Sequence, residues 1–407
     1  MARARQRTTR RRFLKAMLAA GAAPYVVPAV AVGAGDRPAP SNRIVTGCVG
    51  VGGRGSGDMK GFLGFKEVQV VAVCDVVAAK RYAAKAAVDK HYGGEGCDAY
   101  NDFREVTGRP DIDVVMIATP DHWHAIVALE AMRSGKDVFC EKPETLCVAE
   151  GQELVRVTRR LGRVFSGGSQ RVWGDCQNMH RWVRSGALGE VKEVYVSCSG
   201  PSQPCDLPPE PVPDGLDWDL WLGPAPWAPY NKGRLNFRPW RDYSGGGMTD
   251  WGAHNFGGAL FSLNLHRTGP VEVYPPDGNE HPYLTFVFAN GLRMYHAPGG
   301  VAGGRMKFVG TGRTISFSDR DRPPEFRIPN YKGTGGLIGD FLHCVRTRER
   351  PFRDIEIAHR TVTVCHLGNI AYWMGRAFKW DPDKEEVVGD PLVARWINRP
   401  KRSPWRL

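Results

Sequence analysis

The chain has 407 residues, more than one ordinary hydrophobic core organises, so its length predicts two domains. Hydrophobic residues make up 42% and charged residues 24%, which is the composition of a globular protein. The formal net charge is +12, but seven positive charges lie between residues 3 and 15, which leaves +5 for the rest. A surplus of that size is an ordinary solvated surface, and no basic stripe with interleaved aromatics occurs, so we expect no nucleic-acid partner.

Residues 1–35 have the pattern of an export signal. Residues 9–15 read TRRRFLK, which resembles the twin-arginine signal, and residues 16–32 are apolar and alanine-rich. Gly21, Pro24 and Pro28 interrupt the apolar run, so we expect no stable membrane span once the signal is removed. The pattern predicts export by the twin-arginine route to the periplasm or cell envelope. The alternative is a disordered basic arm that binds polyanions.

A glycine-rich turn follows the first predicted strand. Gly50, Gly52 and Gly55 have the G-x-G-x-x-G spacing, a helix follows, and a second strand ends at the acidic residue Asp75. This order is typical of a dinucleotide site, in which the diphosphate sits on the helix N-terminus and the acid binds the adenosine ribose. A carboxylate there repels a 2′-phosphate, so we expect NAD rather than NADP; a glycine-rich loop of another α/β protein is the alternative. The same turn also carries two further candidate cofactor contacts, Gly53 and Arg54.

Strand and helix patterns alternate up to residue 166. Predicted helices cover residues 76–91, 122–133 and 148–161, and predicted strands cover residues 113–118, 137–140 and 163–165. Continuous apolar runs such as residues 113–118 are typical of buried parallel strands. We therefore predict an α/β fold whose N-terminal domain, residues 42–166, is a Rossmann-type doubly wound parallel sheet.

The pattern changes after residue 167. Predicted helices at residues 180–185, 335–345 and 357–379 are mixed with predicted strands at residues 191–198, 271–274, 283–289, 292–297, 305–309 and 314–317. This predicts a C-terminal α+β domain, residues 167–379, with an open and mostly antiparallel sheet. Prolines are dense between residues 201 and 229, which indicates a long ordered loop. Residues 380–407 have no clear period and are predicted to pack as a tail on the surface.

The ten cysteines include no C-x-x-C pair, which argues against structural zinc and thioredoxin-like chemistry. Cys48, Cys74 and Cys140 lie in or beside predicted strands, where cysteine acts as a small buried hydrophobe. Cys198 and Cys205 flank a proline-containing loop and are the one pair considered for a disulfide, with free thiols as the alternative.

Lys142 follows a predicted parallel strand directly and so faces the ligand-binding edge of the sheet. A lysine beside a positively charged nicotinamide ring is pushed toward its neutral form and can accept a proton from a substrate hydroxyl. Glu141 is placed to orient or pair with its ammonium. The alternative is a surface salt bridge at a strand end.

A second group of candidate residues follows three glycines at residues 245–247. Asp250 and His254 are spaced i, i+4, which places them on one face of a helix, where the acid can orient the imidazole. The alternative is a helix-capping aspartate beside a packed histidine. His122 and His124 add two more potential ligands, but no H-E-x-x-H pattern or cysteine cluster supports a metal site, and we predict none.

Four motifs in this order resemble the Gfo/Idh/MocA oxidoreductases. They are residues 50–55, residues 119–124, residues 141–143, and Asp250 with His254. The likeness covers residues 42–375 and is greatest to exported bacterial members with a twin-arginine signal, which carry segments similar to residues 219–224 and 250–254.

The resemblance implies a Rossmann domain that binds NAD(P) and an α/β domain whose open sheet forms homo-oligomers. It also implies catalytic positions at Lys142, Asp250 and His254. Positions that line the cofactor match Thr119, His124, Glu141 and Gln170. Asp121 departs from the family, because many members have asparagine at that position.

Aromatic and arginine side chains gather ahead of the glycine run, at Trp218, Trp221, Trp227, Phe237, Arg238, Trp240, Arg241 and Tyr243. Flat rings beside polar forks suit a carbohydrate, so Arg238, Trp240, Tyr243 and His254 are candidate substrate contacts. The alternative is a proline-rich loop pinned by buried tryptophans.

These observations favour an NAD(P)-dependent oxidoreductase that acts on a sugar, polyol or glycoside. Because an exported protein is not expected to meet a free NAD pool, the cofactor should stay tightly bound and be restored within each cycle. One alternative is an NAD-dependent glycoside hydrolase, which oxidises the sugar transiently at C3, eliminates the aglycone, adds water and reduces again; certain exported family members act this way. A second alternative is a non-catalytic carbohydrate-binding protein that kept the fold.

Overall fold

The computed structural model describes residue 39 and residues 42–407 of the chain. The predicted export signal, residues 1–35, lies outside the described residues. In the described part of the chain, no helix combines the length and the apolar character needed to cross a membrane.

The N-terminal half is built on a parallel sheet. Its strands are β1 Ile44–Val49, β2 Val68–Cys74, β3 Asp98–Tyr100, β4 Val114–Ile117, β5 Asp137–Cys140 and β6 Phe165–Gly167. The connecting helices are α1 Gly53–Leu63, α2 Ala78–Tyr92, α3 Phe103–Thr107, α4 Asp121–Arg133 and α5 Val148–Leu161. The strand order is β3-β2-β1-β4-β5-β6, with buried apolar side chains on both faces of the sheet, as parallel strands require. The predicted doubly wound sheet is confirmed.

The C-terminal half contains a mixed sheet. Its strands are β7 Val191–Val196, β8 Glu272–Tyr274, β9 Leu284–Val287, β10 Arg293–His296, β11 Met306–Gly310, β12 Thr314–Ser316, β13 Phe378–Asp381 and β14 Glu386–Val388. The helices of this half are α6 Arg171–Gly174, α7 Gln177–Arg184, α8 Trp218–Leu222, α9 Gly247–Asp250, α10 Gly252–Ser262, α11 Gly336–Thr347, α12 Ile355–Met374 and α13 Pro391–Ala394. The strand order is β12-β11-β7-β10-β9-β8-β13-β14, and every pair except β7–β10 is antiparallel, so the predicted α+β half with a mostly antiparallel sheet is confirmed. Side chains from α10 and α12 pack on one face of this sheet and form the second core.

Helix α12 ends earlier than its sequence pattern predicts. α12 closes at Gly375, which adopts a left-handed φ of 60° and donates its N–H to the carbonyl of Ala371. The chain then re-enters the sheet, where Phe378 pairs with Val273. The prediction of a helix through residue 379 followed by a surface tail is therefore wrong for residues 375–388. The helical spacing of apolar residues continues past Gly375, so the sequence pattern gives no sign that the helix ends there. The partner strand β8 lies about 100 residues earlier, so local spacing does not predict the pairing.

Helix α11 belongs by packing to the first sheet, although its residues were predicted within the second domain. The ring of Phe341 lies 6.3 Å from that of Phe62 and 5.7 Å from that of Phe139, between ring centres. Leu337 joins the same buried cluster. An amphipathic pattern predicts which face of a helix is buried but not which sheet covers it.

All ten cysteines are free thiols, so Cys198 and Cys205 form no disulfide in this structure. Burial raises the pKa of the Cys48 and Cys74 thiols, which keeps them protonated. They act as small core side chains of the first sheet, as their strand positions predict.

Candidate active site

A cleft of about 310 Å³ lies at the carboxyl ends of β1, β2, β4 and β5. Ligands bind at this edge in open α/β sheets, because the loops that follow the strands converge there. The predicted site residues that line the cleft are Gly50, Gly52, Gly53, Arg54, Asp75, Thr119, His124, Glu141, Lys142 and Arg238. Gly55, Gln170, Trp240, Tyr243, Asp250 and His254 are not among its lining residues.

The glycine turn leaves no room for side chains at two positions. Gly50 has a left-handed φ of 79°, and a Cβ there would lie 2.6 Å from the carbonyl carbon of Ala118. A Cβ on Gly55 would lie 1.8 Å from the carbonyl oxygen of Gly50. No side chain caps α1 at Gly52, and Gly52, Gly53 and Arg54 line the cleft, so the first N–H groups of the helix are free of a side-chain partner beside it. The turn therefore fits a diphosphate, which takes exposed N–H groups at a helix N-terminus.

Gly55→Ala is expected to destabilise the protein by roughly 1–3 kcal/mol, because the added methyl group collides with the Gly50 carbonyl. Gly57→Ala is the matched control in the same helix, since a Cβ at Gly57 meets nothing within 4 Å. The control should gain about 0.5–1 kcal/mol from helix propensity. Urea unfolding of both variants measures the difference, and equal stabilities would contradict the packing described for Gly55.

Asp75 immediately follows β2, lines the cleft and contacts the glycine turn. Its Oδ2 accepts a hydrogen bond of 3.1 Å from the N–H of Val51, and its Oδ1 accepts one of 2.9 Å from the N–H of Val77. Burial raises the pKa of this carboxyl, while these N–H donors act in the opposite direction. Each carboxylate oxygen keeps a free lone pair, so Asp75 can hold the loop and still accept from ribose hydroxyls.

Glu141 was predicted to orient or pair with the ammonium of Lys142. In the structure it pairs with Arg54 instead. Its Oε1 lies 2.8 Å from Nη2 of Arg54, whose Nη2 is also 2.8 Å from Oδ1 of Asp58. Burial raises the pKa of Asp58 to about 7. Glu141 and Asp58 hold the edge of the Arg54 guanidinium that carries Nε and Nη2. The Arg54 side chain is still 48% exposed at the cleft, so a ligand can reach it.

Lys142 pairs with Asp250 across the two halves of the chain. Its Nζ lies 2.5 Å from Oδ1 of Asp250 and donates at 3.0 Å to the Asp250 carbonyl. Arg238 contacts the same Oδ1 at 3.1 Å. Burial acts to raise the pKa of Asp250, but the two cations outweigh it and hold the pKa below its ordinary value. Asp250 is therefore an ionised group that fixes the position of the lysine.

The predicted Asp250–His254 interaction is absent from the described hydrogen bonds. The helix is interrupted at Trp251, so Asp250 ends α9 while His254 lies in α10. Nδ1 of His254 is buried without a hydrogen-bond partner. Burial and the nearby Lys142 lower the pKa of His254 to about 2, so the imidazole is neutral. The i, i+4 spacing did not predict this arrangement, because Lys142, 108 residues away, and Arg238, which lies outside the helix, bind the carboxylate instead.

His124 joins two loops at the cleft. Its Nδ1 lies 2.7 Å from the carbonyl oxygen of Pro143, and its Nε2 lies 2.8 Å from that of Thr119. Burial lowers the pKa of His124 to about 4, so the ring is neutral and donates to one of these oxygens only. The hydroxyl of Thr119 is buried without a partner. Gln170 has an unpartnered side-chain oxygen but does not line the cleft.

Asp121, which sequence analysis noted only as a departure from the family, is a cleft residue. It is buried at the start of α4, and its Oδ2 accepts a 2.6 Å hydrogen bond from the Ser244 hydroxyl. Burial raises the pKa of Asp121 to about 7. An acidic side chain at a helix start is an ordinary sequence feature, so nothing in the sequence alone distinguished it.

Of the predicted substrate residues, Arg238 reaches the cleft and two aromatics do not. Tyr243 is fully buried, and its hydroxyl accepts a 3.1 Å hydrogen bond from Arg234. The indole of Trp240 donates to the carbonyl of Gly233 at 3.0 Å. These two residues pin the proline-rich loop, which was the alternative interpretation. The cleft aromatics are Phe103, Trp123, Trp221 and Phe237.

The segment of residues 201–245, which includes the proline-rich stretch, lies against the part of the cleft next to Asp75. The N–H of Ala78 donates to the carbonyl of Gly215 at 2.8 Å, and the N–H of Asp217 donates to that of Val76 at 3.0 Å. The Asn101 amide adds a 2.8 Å hydrogen bond to the Asp217 carboxylate. We call this segment the cover. It closes over the loop that carries Asp75, which the sequence did not predict.

Comparison with known proteins identifies the family. Residues 44–169 match the description "Oxidoreductase family, NAD-binding Rossmann fold", and residues 177–287 and 325–407 match "Oxidoreductase family, C-terminal alpha/beta domain". The chain belongs to the Gfo/Idh/MocA oxidoreductase family. The resemblance read from the sequence motifs is thereby confirmed.

Individual relatives match over shorter stretches. An inositol 2-dehydrogenase of Salmonella paratyphi B is 38% identical over 152 residues, which is 37% of this chain and 44% of that protein. A glycosyl hydrolase family 109 protein of Saccharopolyspora erythraea is 39% identical over 125 residues, which is 29% of this chain and 26% of that protein. These alignments span less than half of either relative. The crystal structure of myo-inositol 2-dehydrogenase from Lactobacillus plantarum has a TM-score of 0.58 at 16% identity, covers 83% of this chain and 99% of its own, and supports the fold.

Proposed function

We propose that the protein oxidises a hydroxyl-bearing carbon of a sugar, polyol or glycoside with an NAD that stays bound. The observation that carries the proposal is the Lys142–Asp250 pair, which places an amine in the same cleft as the glycine turn and Asp75. A bound nicotinamide supplies the hydride acceptor for such a reaction. The relatives named as inositol dehydrogenases support the substrate class.

The side chains in and beside the cleft have two proposed roles, to position the substrate and to transfer its hydroxyl proton. Asp250 fixes Nζ of Lys142 at the cleft, where the amine is placed to exchange a proton with a substrate hydroxyl. Arg238 shares Asp250 and offers its remaining N–H groups to substrate hydroxyls. His254 does not line the cleft, and burial with the nearby Lys142 lowers its pKa and keeps it neutral, so we assign the proton transfer to Lys142.

Two features support NAD as a retained cofactor. Asp75 lines the cleft, and its carboxylate would repel a 2′-phosphate, so we expect NAD rather than NADP. The cover is hydrogen-bonded to the loop after β2 and lines part of the cleft, so we expect it to slow the release of a bound nucleotide. Retention suits a cycle in which the same cofactor is reduced and reoxidised.

The second candidate is an NAD-dependent glycoside hydrolase without net redox. The match to glycosyl hydrolase family 109 proteins favours it, as does the cover, because a cofactor restored in each turnover never needs to leave. Aglycone release without accumulated NADH distinguishes this activity from that of a dehydrogenase.

The test incubates the purified full-length protein with free sugars, with myo-inositol and with a panel of nitrophenyl glycosides. The proposal predicts that a sugar or polyol reduces the bound cofactor, up to one NADH for each chain, and that a keto sugar reoxidises it. Aglycone release with no lasting NADH selects the hydrolase. If no compound changes the cofactor spectrum or releases an aglycone, both activities are rejected.

Association and location extend the proposal beyond the cleft. Val194 and Met294 of the second sheet face the core, so the alternating residues Tyr195 and Tyr295 lie on its other face, where their rings stack at 4.8 Å. We propose that copies of the chain associate through this open face.

Export by the twin-arginine route is proposed from residues 1–35 alone.

A further inference from the structure

A second cavity, of about 250 Å³, lies between the end of the chain and the cover, and shares no lining residue with the cofactor cleft. Residues 395–401 form one wall and residues 224–226 with 241–242 form another. The Rossmann half contributes His122, Leu146 and Glu150. Because all three parts meet there, the cavity is a feature of the folded chain and not of one loop. We call it the arginine pocket.

Two guanidinium groups of the arginine pocket are held by one tryptophan ring. The guanidinium carbon of Arg241 lies 4.7 Å from the ring centre of Trp373, and that of Arg399 lies 5.1 Å from the same centre. Arg241 also lies 5.7 Å from the ring centre of Trp396, and Nη1 of Arg399 donates to the Arg241 carbonyl. Stacking fixes the planes of both groups and leaves N–H edges free to donate.

The positive charges in the arginine pocket outnumber its two acids, Glu150 and Asp242. Neither Arg241 nor Arg399 forms an ion pair with a carboxylate of residues 42–407, and Nε of Arg241 is buried without a partner. Glu150 is engaged, because its Oε2 accepts from the N–H of Leu146 at 2.6 Å and its Oε1 pairs with Lys401 at 3.0 Å. Including Arg395, four cations line the pocket against Glu150 and Asp242. An added anion would therefore meet net positive charge and unused donors.

Burial lowers the pKa of Arg399 and outweighs the opposite effect of the nearby Cys147, Glu150 and Asp242, while the like charge of Arg241 adds to the lowering. Burial also lowers the pKa of Arg241. Arg241 and Arg399 are partly shielded from water, and holding two guanidinium groups close together there costs free energy that an added anion would offset. Much of the remaining wall is apolar, from Pro224, Pro226 and Trp396, which suits a ligand with an organic body.

We propose that the arginine pocket binds a small organic carboxylate, with the carboxylate on Arg241 and Arg399 and the apolar part against Trp396 and the prolines. Guanidinium forks match the two oxygens of a carboxylate, which makes this pairing stronger and more directional than a point-charge contact. The site is separate from the cofactor cleft, so its ligand need not be the substrate.

Isothermal titration of the full-length protein, saturated with NAD so that the cofactor cleft is filled, tests the proposal. Benzoate is the probe, and benzamide is its neutral counterpart of the same shape. We expect saturable benzoate binding and benzamide binding weaker by about tenfold or more, which corresponds to roughly 1.4 kcal/mol. Equal affinities for the two compounds, or no benzoate binding, would overturn the proposal.

Variants locate the binding. Arg241→Gln and Arg399→Gln should each weaken benzoate binding by about tenfold. Arg322→Gln, which removes an exposed guanidinium elsewhere, should leave it unchanged. Because Arg399 is deeply placed, Arg241→Lys provides a second check: it keeps the charge but removes the fork, and should also weaken binding. Benzoate affinity that is unchanged in the Arg241 and Arg399 variants, or saturable binding of inorganic phosphate but not benzoate, would contradict the assignment.

Discussion

Lys142→Ala is expected to slow hydride transfer by a factor of about 10²–10⁴, the usual contribution of a positioned proton-transfer group. Lys142 lines the cleft and its Nζ is held 2.5 Å from Asp250, so the substitution removes the group that we propose accepts the hydroxyl proton. Single-turnover measurement of NADH formation in the cleft gives the rate, and nucleotide content after purification should be unchanged.

Lys142→Arg separates proton transfer from placement. Arginine keeps the positive charge and can still contact Asp250, but it does not lose its proton at accessible pH. We expect this variant to be as slow as Lys142→Ala. A variant that keeps the wild-type rate would show that Lys142 only positions the substrate. Sugar binding without hydride transfer in the wild type would favour the non-catalytic carbohydrate-binding alternative.

Asp75→Asn is expected to weaken NAD binding by roughly 10–100-fold, because hydrogen bonds to a charged acceptor contribute about 1.5–3 kcal/mol. Asparagine has the same shape and can retain one acceptor toward Val51 or Val77, so the loop should survive. Loss of the negative charge should also raise the relative affinity for NADP. Both affinities are measured by titration of protein stripped of nucleotide.

Asp98→Asn is the control for this substitution. Asp98 starts the neighbouring strand β3, and its carboxylate pairs with Arg109 away from the cleft lining. It should leave both nucleotide affinities unchanged. If Asp75→Asn also left the preference for NAD unaltered, the proposed role of the carboxylate at the ribose would be wrong.

The residues of the proposed cofactor site could be predicted from the sequence because they lie close together along the chain. Gly50, Gly55 and Asp75 lie within one strand–helix–strand unit, and backbone geometry alone requires the two glycines. The position of Lys142 followed from the same rule, since it comes directly after a parallel strand. Periodicity and turn chemistry are enough where a motif stays within one supersecondary unit.

The partners of the charged groups were not readable, because they depend on contacts between distant segments. Asp250 was expected to orient His254 but holds Lys142, and Glu141 was expected to hold Lys142 but pairs with Arg54. Sequence spacing shows which side chains are near along one helix, whereas a charge takes its strongest partner in three dimensions. The cover was missed for the same reason, since its hydrogen bonds join residues far apart in the chain.

The most direct test of the account is to denature the purified full-length protein and identify the nucleotide that it releases. The glycine turn, Asp75 and the cover predict NAD, close to one molecule for each chain, with no NADP. Release of NADP, or protein that carries no nucleotide and takes up none from a millimolar solution, would contradict it.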